Sequence, residues 1–80
     1  MSFLEKVKNS RSDLIYLVRG KDKGRQCWHY VLVDKLKLPV FLERVKGGQL
    51  DVADYGKVLY SGWGNDPPQE VEDKLDAEFK

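Results

Sequence analysis

Eighty residues, of which 41% are apolar, 34% charged and 11% aromatic, describe one small domain over 1–80. A chain of this length buries only about 60–65% of the surface it exposes when unfolded, so its core is thin and a deep large-cofactor cleft would consume much of it. Fourteen Lys and Arg against thirteen Asp and Glu give +1, which excludes a histone-like basic protein and an acidic disordered tail.

Ser2 and Glu5 have capping-box spacing, and Phe3, Leu4 and Val7 form a narrow apolar face, so the sequence predicts a short helix over 3–10. The run Asp13-Leu-Ile-Tyr-Leu-Val-Arg19 is β-branched, aromatic and leucine-rich, apolar on both faces, and reads as a central strand. Gly20-Lys-Asp-Lys-Gly24 has hairpin-turn composition, and the run from Gln26 to Asp34 is the returning strand. Pro39 suits a first helical turn, and Leu38, Phe41, Leu42 and Val45 make one stripe closed by Gly47-Gly48, which predicts a helix over 39–46.

Asp51 is expected to cap a single turn through Tyr55, ended by Gly56. A third strand is predicted over 57–63, with Val58 and Tyr60 on one face and Leu59 and Trp63 on the other. Asp66 is expected to cap a last helix starting at Pro67, with Gln69 at the capping-box position and Val71, Leu75 and Phe79 four apart. The expected fold is α+β, a small three-stranded and mainly antiparallel sheet in the order α-β-β-α-β-α, with the partner of the third strand left open.

Residues 1–46 carry eleven basic and five acidic side chains, +6, and residues 47–80 carry three and eight, −5. The sharpest concentration is Arg19, Lys21, Lys23 and Arg25 around Asp22. A basic β-ribbon can track phosphates, and Trp28 and Tyr30 beside it could stack bases if exposed. A solvated turn in any soluble domain carries such charges too, and four partly offset cations release few counterions.

Cys27 and His29 share one face of a strand, which leaves open a nucleophilic thiol with a base beside it. Burial of a small thiol and a hydrogen-bonded imidazole is the ordinary structural explanation, so no catalytic residue is assigned. One Cys and one His are half a tetrahedral zinc set, with no CxxC spacing, and neither a metal nor any other cofactor is expected. Gly62-Trp-Gly64 is no phosphate cradle, because Pro67 and Pro68 remove donors and Asp66, Glu70 and Glu72 add negative charge. Its glycines are expected to serve a turn and close packing around Trp63. The segment 20–24 lacks the GxxxxGK[ST] pattern of a nucleotide loop.

A lone cysteine, no apolar leader in the first eleven residues and no run near 20 apolar residues point to the cytoplasm, without a membrane. Tyr16, Trp28, Tyr30, Tyr55, Tyr60 and Trp63 are numerous for so thin a core; exposed, they would anchor a partner protein or a second copy. The stretch Asp54-Tyr-Gly-Lys-Val-Leu-Tyr-Ser-Gly-Trp-Gly-Asn-Asp-Pro-Pro68 resembles the tail of small bacterial proteins that share a DYGxVLxSGxG motif followed by a proline. With Trp28 to Val33 and Phe41 to Arg44 the resemblance spans about residues 13–70, and it implies a free-standing bacterial domain without transferring an activity.

The sequence therefore predicts a non-enzymatic binding or accessory protein acting through a partner surface, for which Arg19, Lys21, Lys23, Arg25, Trp28, Tyr30 and Trp63 are the candidate residues. The alternative is a nucleic-acid-binding module built on hairpin 19–25 and the neighbouring aromatics. A small hydrolase or ribonuclease using His29 or Cys27 is the least supported reading, because neither side chain has an evident supporting shell.

Overall fold

The computed structural model describes residues 2–79 apart from Arg11, and only the backbone of Ser10. Arg11 and Lys80, counted among the basic side chains above, lie outside the described residues. The elements are β1 (Phe3–Ser10), β2 (Asp13–Asp22), β3 (Arg25–Asp34), α1 (Leu38–Lys46), β4 (Lys57–Trp63) and α2 (Gln69–Glu78). Every strand is antiparallel to its neighbour, in the order β1-β2-β3-β4.

The sheet has four strands, which corrects the expected three. Phe3–Ser10 is a strand and not a helix. An isolated helix that short is marginal in water. β2 is apolar on both faces and offers an open edge, and β1 fills it, from Phe3 opposite Arg19 to Ser10 opposite Asp13. Tertiary pairing thus overrides the capping-box signal of Ser2 and Glu5. The register shifts between Lys6 and Lys8, so Val7 is an extra residue in the ladder; such a bulge erases the alternation by which a strand is recognised.

β2 and β3 pair without a break, with Asp22 opposite Arg25, which leaves Lys23 and Gly24 as a two-residue loop. Both have positive φ, 54° and 77°, the combination that matches strand twist in a tight hairpin. The third sequence-predicted strand, β4, joins β3. It carries a second bulge: Tyr60 faces Tyr30 but Val58 faces Val31, and both Leu59 and Tyr60 pack into the core under α2. The expected sharing of a face by Val58 and Tyr60 fails for that reason.

Each sheet face supports its own core. On one face α1 lays Phe41 and Val45 over Leu14, Tyr16, Val18, Val31 and Val33, with Val52 from the following loop. Tyr16 and Phe41 meet with ring centroids 5.5 Å apart. The predicted single turn after Asp51 is a non-helical turn over 53–55, in which the Tyr55 N–H donates to the Val52 carbonyl.

The opposite face holds Ile15, Leu17, Trp28 and Tyr30 beneath Leu75, with Val71 and Phe79 half-buried beside it. The predicted four-residue spacing is thus the buried stripe of α2. The helix begins at Gln69, with Pro68 at the N-cap and no side-chain cap. Asp66 does not cap it; its carboxylate accepts from Arg19, and Gln69 donates to Asp73 instead of closing a capping box. Among the described residues no helix is long and apolar enough to cross a membrane.

Candidate functional site

The residues singled out at the hairpin separate once the register is known. Trp28 and Tyr30 lie on the face covered by α2 and are only 4% and 2% exposed, so neither is a stacking platform. Their rings meet edge-on at 5.9 Å and staple the second core. Burial raises the Tyr30 phenol pKa above its usual value, with the Glu72 charge adding to the shift.

Arg19, opposite Trp28, does not join the tip cations either. Its Nη1 is 3.2 Å from Glu5 Oε2 and its Nη2 is 2.9 Å from Asp66 Oδ1. Lys8 Nζ lies 2.7 Å from Asp76 Oδ1, and this pair and Arg19–Asp66 are where the basic first half and the acidic second half neutralise each other.

The structure does bring Lys21, Lys23, Arg25 and Trp63 to one end of the sheet, the cations being exposed. Trp63 closes β4 opposite Cys27, and the Arg25 guanidinium carbon lies 4.3 Å from the centroid of its ring. Trp63 remains 51% exposed. Asp22 shares the face of Arg25 and Trp63, whereas Lys21, opposite Gln26, is on the other face. An aromatic face held by a cation at this basic end of the sheet is an arrangement that can grip an anionic partner while burying an apolar contact. Trp63 lies about forty residues along the chain from the hairpin loop, and only the β3–β4 pairing, which sets it opposite Cys27, brings the two together.

Beneath this platform is a small cavity of about 140 Å³ lined by Asp22, Cys27, His29, Ser61, Gly62 and Trp63. Cys27 Sγ and His29 Nε2 are 3.9 Å apart. Burial raises the Cys27 pKa and the Asp22 charge raises it further. Burial lowers the His29 pKa, partly opposed by Asp22. Both shifts favour a neutral thiol and a neutral imidazole, the reverse of the thiolate–imidazolium pair that a cysteine nucleophile uses. Sequence reasoning missed Asp22 and Ser61 here, because only the β3–β4 register places Ser61 opposite His29.

Two further concavities lie elsewhere. An apolar groove of about 510 Å³ runs between β1 and α1, walled by Leu4, Pro39, Leu42 and Val45. A polar one of about 290 Å³ borders Asp54, Tyr55 and Gly56, so the start of the DYGxVLxSGxG stretch contributes to a different site from its end at Trp63. Among the described residues no three His, Cys, Asp or Glu side chains gather as a closed metal site would require. Comparisons with protein-family models, curated proteins and solved structures gave no match for this chain.

Proposed function

We propose that this chain is a small, non-enzymatic cytoplasmic binding module that takes up an acidic segment of a partner protein at the hairpin end of its sheet. The observation that carries this reading is Arg25 stacked on a half-exposed Trp63, at the end of the sheet where Lys23 stands in the hairpin loop and Lys21 lies on the other face. Trp and Arg are the side chains most enriched among residues that dominate binding energy at protein interfaces. The stacking restrains both, which lowers the ordering cost when a partner arrives. Lys21, Lys23 and Arg25 supply a local positive field that selects an acidic segment and speeds its encounter. A single free cysteine fits a reducing compartment.

The nucleic-acid alternative keeps the same three cations but loses the buried Trp28 and Tyr30 and the neutralised Arg19. Three phosphate contacts would give a salt slope of only about −2 on a single strand.

Selection from a displayed library of random peptides tests the proposal. The expected result is enrichment of acidic peptides with an apolar or aromatic anchor, whose affinity falls at least about tenfold with Trp63→Ala and weakens with added salt. Enrichment without acidic bias, or binding indifferent to Trp63→Ala in a variant that stays folded, overturns it. Tight binding of mixed-sequence RNA or DNA with no peptide enriched would favour the alternative.

A further inference from the structure

The free edge of β4 says how the partner segment is held, an inference that rests on the reading above. We infer that the acidic segment binds as an extended strand, added to the sheet alongside β4. β4 pairs with β3, and among the described residues no strand lies against its other side. The Gly64 N–H donates to the Gln26 carbonyl, one step beyond the Cys27–Trp63 pair. Opposed residues of an antiparallel ladder alternate between bonded and non-bonded pairs. Tyr60 and Gly62 therefore turn their backbone groups to β3, whereas Ser61 and Trp63 turn theirs outward, as a template for main-chain hydrogen bonds.

The two edges of the sheet differ in a way that selects this one. β1 carries Glu5, Lys6 and Lys8 and is interrupted at Val7. Charged side chains and a bulge are how native sheets block an edge. β4 carries no charge from Val58 to Trp63, and its bulge lies at Leu59, which leaves 60–63 regular. Val58 and Trp63, opposite Val31 and Cys27, lie on one face and are 39% and 51% exposed. Alternate side chains of an added strand would stand beside them.

Charge decides the occupant. β4 begins at Lys57 and contains no acid, and its far end meets Arg25 on Trp63, close to Lys23 in the hairpin loop. Asp22, the acid of the tip, stands on β2, one strand farther from this edge. A second copy paired edge to edge, in either direction, would bring these cations towards their own kind, and opposed like charges destabilise a strand pair. An acidic segment meets opposite charge at both ends.

The test is titration of the isotope-labelled whole chain with an acetylated, amidated heptapeptide of alternating Glu and Val. The Ser61 and Trp63 amides are expected to gain at least about tenfold protection from hydrogen exchange. Methylating one alternate set of the peptide's amide nitrogens should weaken binding at least about tenfold, and methylating the other set should leave it intact. The matching Lys–Val peptide is expected not to bind. Ser61→Pro removes an outward N–H and no bond to β3, so it should stay folded by far-ultraviolet circular dichroism and lose binding by the same factor; the methylated peptides decide if it unfolds. Protection away from β4, indifference to both methylations, or unchanged binding in folded Ser61→Pro overturns the strand mode. Library-selected acidic peptides that still depend on Trp63 would then leave the binding reading standing, whereas no acidic peptide bound at all removes both. Dimerisation through β4 without peptide binding overturns the inference in favour of a second copy.

Discussion

Gly62 stands directly opposite Trp28, and a Cβ placed on it would lie 2.6 Å from Trp28 Cζ2. The indole of β3 therefore lies across the backbone of β4, and the glycine is required by Trp28, not by the neighbouring Trp63 as the sequence predicts. Glycine is the one residue that allows this approach. Gly62→Ala is expected to destabilise by about 1–3 kcal/mol, as overpacking of a filled core does. Urea unfolding measures it; a change within experimental error would mean that the indole moves aside freely.

Leu75 is the one fully buried side chain of α2, so it carries most of that helix's attachment to the sheet. Leu75→Ala is expected to cost about 2–5 kcal/mol and to uncover Trp28 and Tyr30. Hydrogen exchange should then show α2 amides losing protection before those of β2 and β3. Equal loss across the whole sheet would show that the helix is not a separable unit.

The two tryptophans make a built-in optical test of the register. Trp63 is exposed and Trp28 buried, so acrylamide is expected to quench one and spare the other. In Trp63→Phe the remaining emission should be blue-shifted and resistant to quenching. Readily quenched Trp28 emission would contradict the packing of α2 over the sheet.

His29 gives a pH signature whose sign is fixed by its environment. Burial lowers its pKa in the folded chain below the ordinary value of about 6.5, so the unfolded chain takes up a proton first as pH falls. The stability contributed by keeping the imidazole neutral is present above about pH 6.5 and is lost progressively below it until the folded pKa is reached. His29→Gln should flatten this part of the urea-midpoint profile relative to wild type. Cys27 acts at the other end: its raised pKa means that stability falls as pH rises above about 9, and Cys27→Ser should remove that fall.

Asp66 and Glu5 share the Arg19 guanidinium on a solvent-exposed flank. Asp66→Asn is expected to cost no more than about 1 kcal/mol, with the loss shrinking as salt is added. A large, salt-independent loss in thermal unfolding would instead mean that the buried, unpartnered Nε of Arg19 depends on this pair for its position.

What the sequence by itself determined is local. The Gly20 to Gly24 turn between two apolar runs specified the β2–β3 hairpin, and the spacings of Phe41 with Val45 and of Val71 with Leu75 specified the buried stripes of α1 and α2. Turn chemistry and periodicity act within a few residues, so they can be read without knowing what lies across the sheet. Pairing of distant segments decided the rest. The open edge of β2 turned residues 3–10 from an expected helix into β1, and two bulges moved Val7 and Leu59 out of simple alternation. The same long-range register buried Trp28 and Tyr30, spent Arg19 on Glu5 and Asp66, and gathered Arg25 with Trp63 above Cys27 and His29. A candidate site made from three strands is invisible to spacing along one of them, because which residues face each other is fixed only when the cores under α1 and α2 close.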